Sequence, residues 1–277
     1  MKKYVFILFL LFPFALFAQY PPLIDTILSR SFQLRAQFRD GAGNYQENHG
    51  MGLLINGEYL VTCQHLIYVE RPGYKLQKVL LYGNDGNDKE NPPYDSIELI
   101  QIFKHTKNQY DFSEQKYKKG DYATDIIVFK LKTPLKKGNF NYKKRELNYG
   151  DDTYSVGDEF TMIKNIPAVH FKEDHSHFFN YFTQPAPNSK QVFISCIGDA
   201  KEGFSGSPLF NSYGEVIGLI TSGFEDIPVD FLNQSRKMGL TAKGYNDVIN
   251  AYKNGKRIFS ALNISFIVNN YLKGYLE

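Results

Sequence analysis

Short apolar runs separated by turn residues constrain this chain more than any other feature. Leu53-Leu54-Ile55 is followed by Asn56-Gly57 and then by Glu58-Tyr59-Leu60-Val61-Thr62. Asn-Gly supplies the two positive φ angles that a tight type I′ turn needs, so this stretch reads as a β-hairpin. Further runs of strand length occur at 78–82, 97–103, 125–132, 159–163 and 191–197. A second hairpin runs from 208–210 through Ser212-Tyr213-Gly214 into 216–220. Many short strands at such spacing predict an all-β sandwich or barrel. With 277 residues, 43% of them hydrophobic, the chain can bury the core of one large domain or two small ones.

The two ends read differently. Lys2-Lys3 precedes a nearly unbroken apolar run over 4–17, interrupted by Pro13; Ala18 and polar Gln19 follow. Such a run is short for a bilayer span and predicts a signal peptide over 1–18, with an uncleaved anchor as the alternative. Leu16, three positions before Gln19, is larger than usual there, which leaves the cut site open by a few residues. No Cys follows the run, so no lipid anchor is expected, and no later segment is apolar enough to cross a membrane. A secreted or periplasmic protein without stable membrane insertion is the expectation. At the other end, Ile264, Ile267, Val268, Tyr271, Leu272 and Tyr275 recur at helical spacing, with Asn263 as N-cap.

Charge excludes some partners. The formal net charge is +3, and loss of Lys2 and Lys3 leaves +1, which gives no drive toward nucleic acid or acidic lipid. The basic cluster Lys136, Lys137, Lys143, Lys144 and Arg145 lies in a Lys-, Asn- and Gly-rich stretch over 132–152, read as a solvated connector between two β halves. Cys63 and Cys196 can be a disulfide, as export permits, or two buried thiols.

The residues able to carry chemistry come in a fixed order. Gly203-Phe204-Ser205-Gly206-Ser207-Pro208 offers a hydroxyl in a tight loop, where glycines let backbone N–H groups converge on an oxyanion. Alone it is equally an ordinary Gly-Ser turn. All six histidines (His49, His65, His105, His170, His175 and His177) precede Ser205, which excludes the α/β-hydrolase order for that serine. His65 ends the first hairpin, a rigid mount for a base. Asp125 opens the apolar strand Ile126-Ile127-Val128-Phe129, where a carboxylate can orient an imidazole.

These residues resemble the trypsin-like serine peptidase family. Thr62-Cys63-Gln64-His65 is similar to its Thr-Ala-Ala-His motif, and Asp125 through Leu131 to its acidic strand. Gly203 through Pro208 is similar to Gly-Asp-Ser-Gly-Gly-Pro, and Gly214-Glu215-Val216-Ile217-Gly218 to the bacterial branch. The resemblance implies two antiparallel β-barrels with a C-terminal helix and a site in the cleft between them. It implies His65 as general base, Asp125 as its orienting acid and Ser205 as nucleophile of an acyl-enzyme. The N–H groups of Gly203 and Ser205 would form the oxyanion hole, and Thr221, Ser222 and Gly223 would pair with substrate backbone. Asp199 stands at the offset of the carboxylate that selects Arg or Lys side chains, or else it caps a loop.

Departures matter too. Phe204 stands where trypsin carries the Asp that pairs with a newly cut N-terminus, so that activation switch is absent. Residues 19–30 could still form a pro-segment. Stretches 84–115 and 163–190 read as inserted surface loops near the cleft. His170, Asp174, His175 and His177 fall in the second of these, where they read as a solvated polar cluster rather than a metal site. The expected organisation is a signal at 1–18, a first barrel over 19–140, a linker and second barrel over 141–257, and a helix over 258–277. A downstream PDZ domain is not expected after so short a tail. The expected function is a secreted serine endopeptidase acting on proteins or peptides without metal or cofactor; the alternative is a catalytically inactive binding or adhesion protein on the same scaffold.

Overall fold

The protein is described here by a computed structural model at residues 20–67, 73–83, 99–101, 125–131, 134, 142, 146–163, 166–186, 189–224 and 241–273. The expected signal segment, most of the basic connector and most of the stretch 84–115 lie outside these residues.

A helix, α1 (Tyr20–Arg30), leads into β1 (Ser31–Arg39), β2 (Tyr45–Ile55), β3 (Tyr59–Thr62), β4 (Lys75–Gly83), β5 (Leu99–Gln101) and β6 (Ile127–Leu131). These strands form a curled six-stranded sheet in the order β4-β1-β2-β3-β6-β5. In β1, Phe32, Leu34, Ala36 and Phe38 are buried on one face while Arg35, Gln37 and Arg39 point away, the period of two that a half-buried strand requires. The β2–β3 hairpin is the one Asn56-Gly57 predicts. Both residues take positive φ, 51° and 72°, and Glu58 N–H closes the turn on the Ile55 carbonyl at 3.0 Å.

The second half is a closed barrel in the order β10-β11-β12-β9-β8-β7. Its strands are β7 (Asp152–Ile163), β8 (Ile166–Ala186), β9 (Ser189–Gly198), β10 (Pro208–Asn211), β11 (Val216–Phe224) and β12 (Arg257–Asn263). The fold is therefore all-β in the two-barrel, chymotrypsin-like manner, with one barrel closed and the other a curled sheet.

Three cores explain the sequence patterns. One fills the first sheet and includes Phe32, Leu60, Ile127 and Phe129. A second fills the closed barrel and includes Ile194, Phe204, Leu209 and Phe259. The third lies between the halves and joins Met51, Leu53, Val61 and Val128 to Val156, Phe210 and Leu262. Strand β6 thus has a core on each side, which is why Ile126-Ile127-Val128-Phe129 runs apolar without alternation. Helix α1 adds Ile27 to the interface core. So does the C-terminal segment, where Asn263 Oδ1 accepts from Ser265 N–H and Ile264, Ile267, Val268 and Leu272 are buried. That segment starts as α3 (Ile264–Ile267) and continues with a wider π turn over Val268–Leu272.

Several features differ from expectation. The stretch 163–190 is not a surface loop: β8 occupies most of it and pairs with β7 from Asp152↔His177 to Ile163↔Ile166. Its period is masked because two of its inward positions, Asp174 and Ser176, are polar yet buried. Helix α2 (Ala242–Lys253), capped by Thr241, was not predicted, and the first part of the span 258–277 expected as helix is instead strand β12, which joins β11 to β9 in the barrel, so that the helix begins only at Ile264. Cys63 and Cys196 are two free buried thiols in different cores, so the disulfide is not formed.

Candidate active site

Strands β3 and β6 are neighbours, with Thr62 opposite Ile127. The residues just beyond that pairing, Cys63 to His65 on one chain and Asp125 on the other, must therefore meet. His65 lies in a short 3-10 turn over Gln64–Ile67. Its ring Nδ1 is 2.5 Å from Asp125 Oδ2, and its backbone N–H donates to Asp125 Oδ1 at 2.9 Å. Both carboxylate oxygens are thus engaged by one residue, which orients the imidazole and leaves Nε2 as the nitrogen not held by Asp125. Burial pulls the His65 pKa down, but the hydrogen bond and charge of Asp125 outweigh it, and the result lies above the usual 6.5.

The Ser205 loop is pinned to both halves. Met51 N–H on β2 donates to the Ser205 carbonyl at 2.8 Å, and Gly206 N–H donates to the Ile220 carbonyl on β11 at 2.8 Å. Ser207 Oγ donates to the Val156 carbonyl on β7 at 2.7 Å. Gly203 and Gly206 hold φ of 93° and 82°, left-handed backbone that a side chain would strain. A Cβ at Gly206 would also lie 2.0 Å from the Met51 carbonyl oxygen and 2.6 Å from Thr62 Oγ1. Gly206 therefore packs directly against the strand that leads to His65. Cys63 completes the contact by donating from Sγ to the Ile220 carbonyl at 3.3 Å. Burial, then the nearby Asp125 charge, pushes the Cys63 thiol well up, so it stays a neutral donor. The N–H groups of Gly203 and Ser205 take no part in these bonds.

A model of the trypsin-like peptidase domain matches residues 50–219, more than half of the chain. The chain belongs to the trypsin-like peptidase family. Two crystal structures of Rv3671c from M. tuberculosis share its fold. A serine-to-alanine mutant in its inactive form is 13% identical, with a TM-score of 0.51 over 92% of this chain and 91% of that one. The Rv3671c protease in its inactive form is 14% identical, with a TM-score of 0.50 over 91% of this chain and 92% of that one. No curated protein matches.

The remaining expected site residues of this trypsin-like domain fall in two groups. Thr221 is buried, its hydroxyl 3.4 Å from the Ser260 carbonyl, while Ser222 and Gly223 are exposed. On one side this part of β11 pairs with β12, Ser222 opposite Ser260; the pairing with β10 ends at Leu219. Asp199 is not an unpaired pocket base. It is about half exposed, its Oδ2 is 2.6 Å from Lys256 Nζ, and its N–H donates to Asp174 Oδ1 at 2.6 Å.

Gly157 and Asp158 escape the sequence, and so does the seat that Phe204 occupies. Phe204, in place of the family's acid, is 1% exposed in the barrel core, and Gly157 on β7 makes room for it: a Cβ there would lie 2.3 Å from the Phe204 ring. Asp158 holds the Ser205 loop from behind, its N–H donating to the Gly203 carbonyl at 3.0 Å. The Asp158 carboxylate is buried and faces His49 Nδ1 across the barrel interface at 3.8 Å. In the sequence this Gly-Asp pair stands just before the run expected at 159–163, and β7 begins earlier, at Asp152, so the glycine falls inside a strand, where it marks close backbone approach.

Proposed function

We propose that this trypsin-like peptidase is a serine endopeptidase, exported by the signal segment at 1–18 and acting outside the cytoplasm. The observation that carries the reading is the two-point clasp of Asp125 on His65 beside a Ser205 loop anchored to both halves. Ser205 Oγ attacks the peptide carbonyl carbon as its proton passes to His65 Nε2. Asp125 stabilises the imidazolium that results. The N–H groups of Gly203 and Ser205 receive the oxyanion. His65 then gives the proton to the leaving amine, and water releases the acyl group by the same steps in reverse. The exposed edge at Ser222 and Gly223 suits backbone pairing with an extended substrate.

The pairing of Asp199 with Lys256 argues for a weak preference at best for Arg or Lys side chains. A peptide library digested by the purified protein tests both points. Cleavage abolished in Ser205→Ala, with modest enrichment of basic residues that Lys256→Ala increases, is expected. Cleavage that survives Ser205→Ala would overturn the reading.

A further inference from the structure

Strand β8 alternates so that Asp174, Ser176 and Phe178 are buried while His175 and His177 stand outward. Across the ladder, Asp152 on β7 lies opposite His177, and Tyr154 lies opposite His175. Three donors therefore converge on the outer face of the barrel. His175 Nε2 and His177 Nδ1 are each 3.0 Å from one atom, Asp152 Oδ1. All three donor atoms lie within 4.8 Å of one another. The Tyr154 ring stacks on His175 with 4.9 Å between centroids and 4° between planes, and the two imidazoles meet edge to face at 5.0 Å. This holds both rings toward the carboxylate.

We propose that Asp152, His175 and His177 form a site for a first-row transition-metal dication, zinc in the first instance. Two imidazoles and one carboxylate suit zinc, nickel or copper rather than calcium or magnesium, which take oxygen donors. Zinc bonds of about 2.0–2.1 Å in a tetrahedron put ligand atoms roughly 3.4 Å apart. The two His–Asp separations are already close to that. The His–His separation needs a small rotation, which side chains 52% and 54% exposed can make. Exposed contacts of this kind add little to fold stability. Without metal, Asp152 Oδ1 can accept from both rings. On binding, each displaced ring proton moves to the other ring nitrogen or leaves to water, and the fourth position goes to water. The site is distinct from the peptidase machinery: Asp152 is six residues from Asp158 along β7, on the order of 20 Å. The inference does not rest on the peptidase reading.

Calorimetric titration of tag-free, chelator-treated protein with zinc chloride tests it, with thermal unfolding followed in parallel. One bound zinc and a raised Tm are expected in the wild type and in His65→Ala. Affinity should fall in His177→Ala and Asp152→Asn by at least the roughly tenfold that loss of a mere outer-shell partner brings. The Tm rise should vanish in His175→Ala/His177→Ala, whose circular dichroism and peptidase activity stay as in the wild type. Cobalt should give a visible absorption band in the wild type alone of these two. No zinc uptake by the wild type would overturn the proposal. So would binding retained by the double variant, or binding lost only in His65→Ala, which would put the ion on Cys63, His65 and Asp125.

Discussion

At the residue scale, the Asp125–His65 clasp sets the pH behaviour of the site. In the proposed mechanism attack by Ser205 needs a neutral imidazole, and the hydrogen bond and charge of Asp125 prevail over burial to raise its pKa above 6.5. The rate kcat/KM should therefore rise along a limb centred above pH 6.5. The folded chain holds this proton more tightly than the unfolded one. The stability contributed by the pair is thus complete below about pH 6.5 and is lost as the pH climbs through the folded value. Asp125→Asn should move the limb to lower pH and cut kcat/KM by roughly 10³–10⁴-fold. A pH–rate profile checks this, and an unmoved limb with an undiminished rate in the Asn variant would count against the clasp.

At the element scale, the Ser205 loop depends on β7 behind it. Phe204 anchors the loop by burial where trypsin uses an ion pair, and the anchor fits only because position 157 lacks a side chain. Gly157→Ala overpacks that seat and should cost about 1–3 kcal/mol. Phe204→Ala empties it and should cost about 3–5 kcal/mol. Both should lower kcat more than they raise KM, because in the proposed mechanism this loop carries the nucleophile and the oxyanion donors. Denaturant titration with steady-state kinetics measures each; a Gly157→Ala variant of wild-type stability and activity would show that the seat is not tight. The same elements mark what could be read in advance. The hairpins at Asn56-Gly57 and at Ser212-Tyr213-Gly214 were legible because turn chemistry is local. The course of β8 was not, since Asp174 and Ser176 put polar groups on its buried face. Nor was Gly157, whose reason for being glycine lies in a ring 47 residues further along the chain.

At the scale of the whole molecule, the proposed site belongs to neither half. The first sheet supplies His65 and Asp125, the closed barrel supplies Gly203, Ser205 and the edge of β11, and a shared core joins them. Chain order and local motifs made those residues legible, because each sits at a strand end or in a tight loop with its own signature. What stays invisible in one dimension is the way they are held. Met51, Asp158 and Cys63 act through backbone and thiol contacts that no residue type announces. The most direct test of an activated serine built across this interface is labelling with a fluorophosphonate probe, read by intact mass. Stoichiometric modification of the wild type, lost in Ser205→Ala and slowed by orders of magnitude in His65→Ala, is the expected result. A folded wild-type protein that takes up no probe, before or after limited proteolysis of its N-terminal segment, would contradict it and leave a protease fold without protease chemistry.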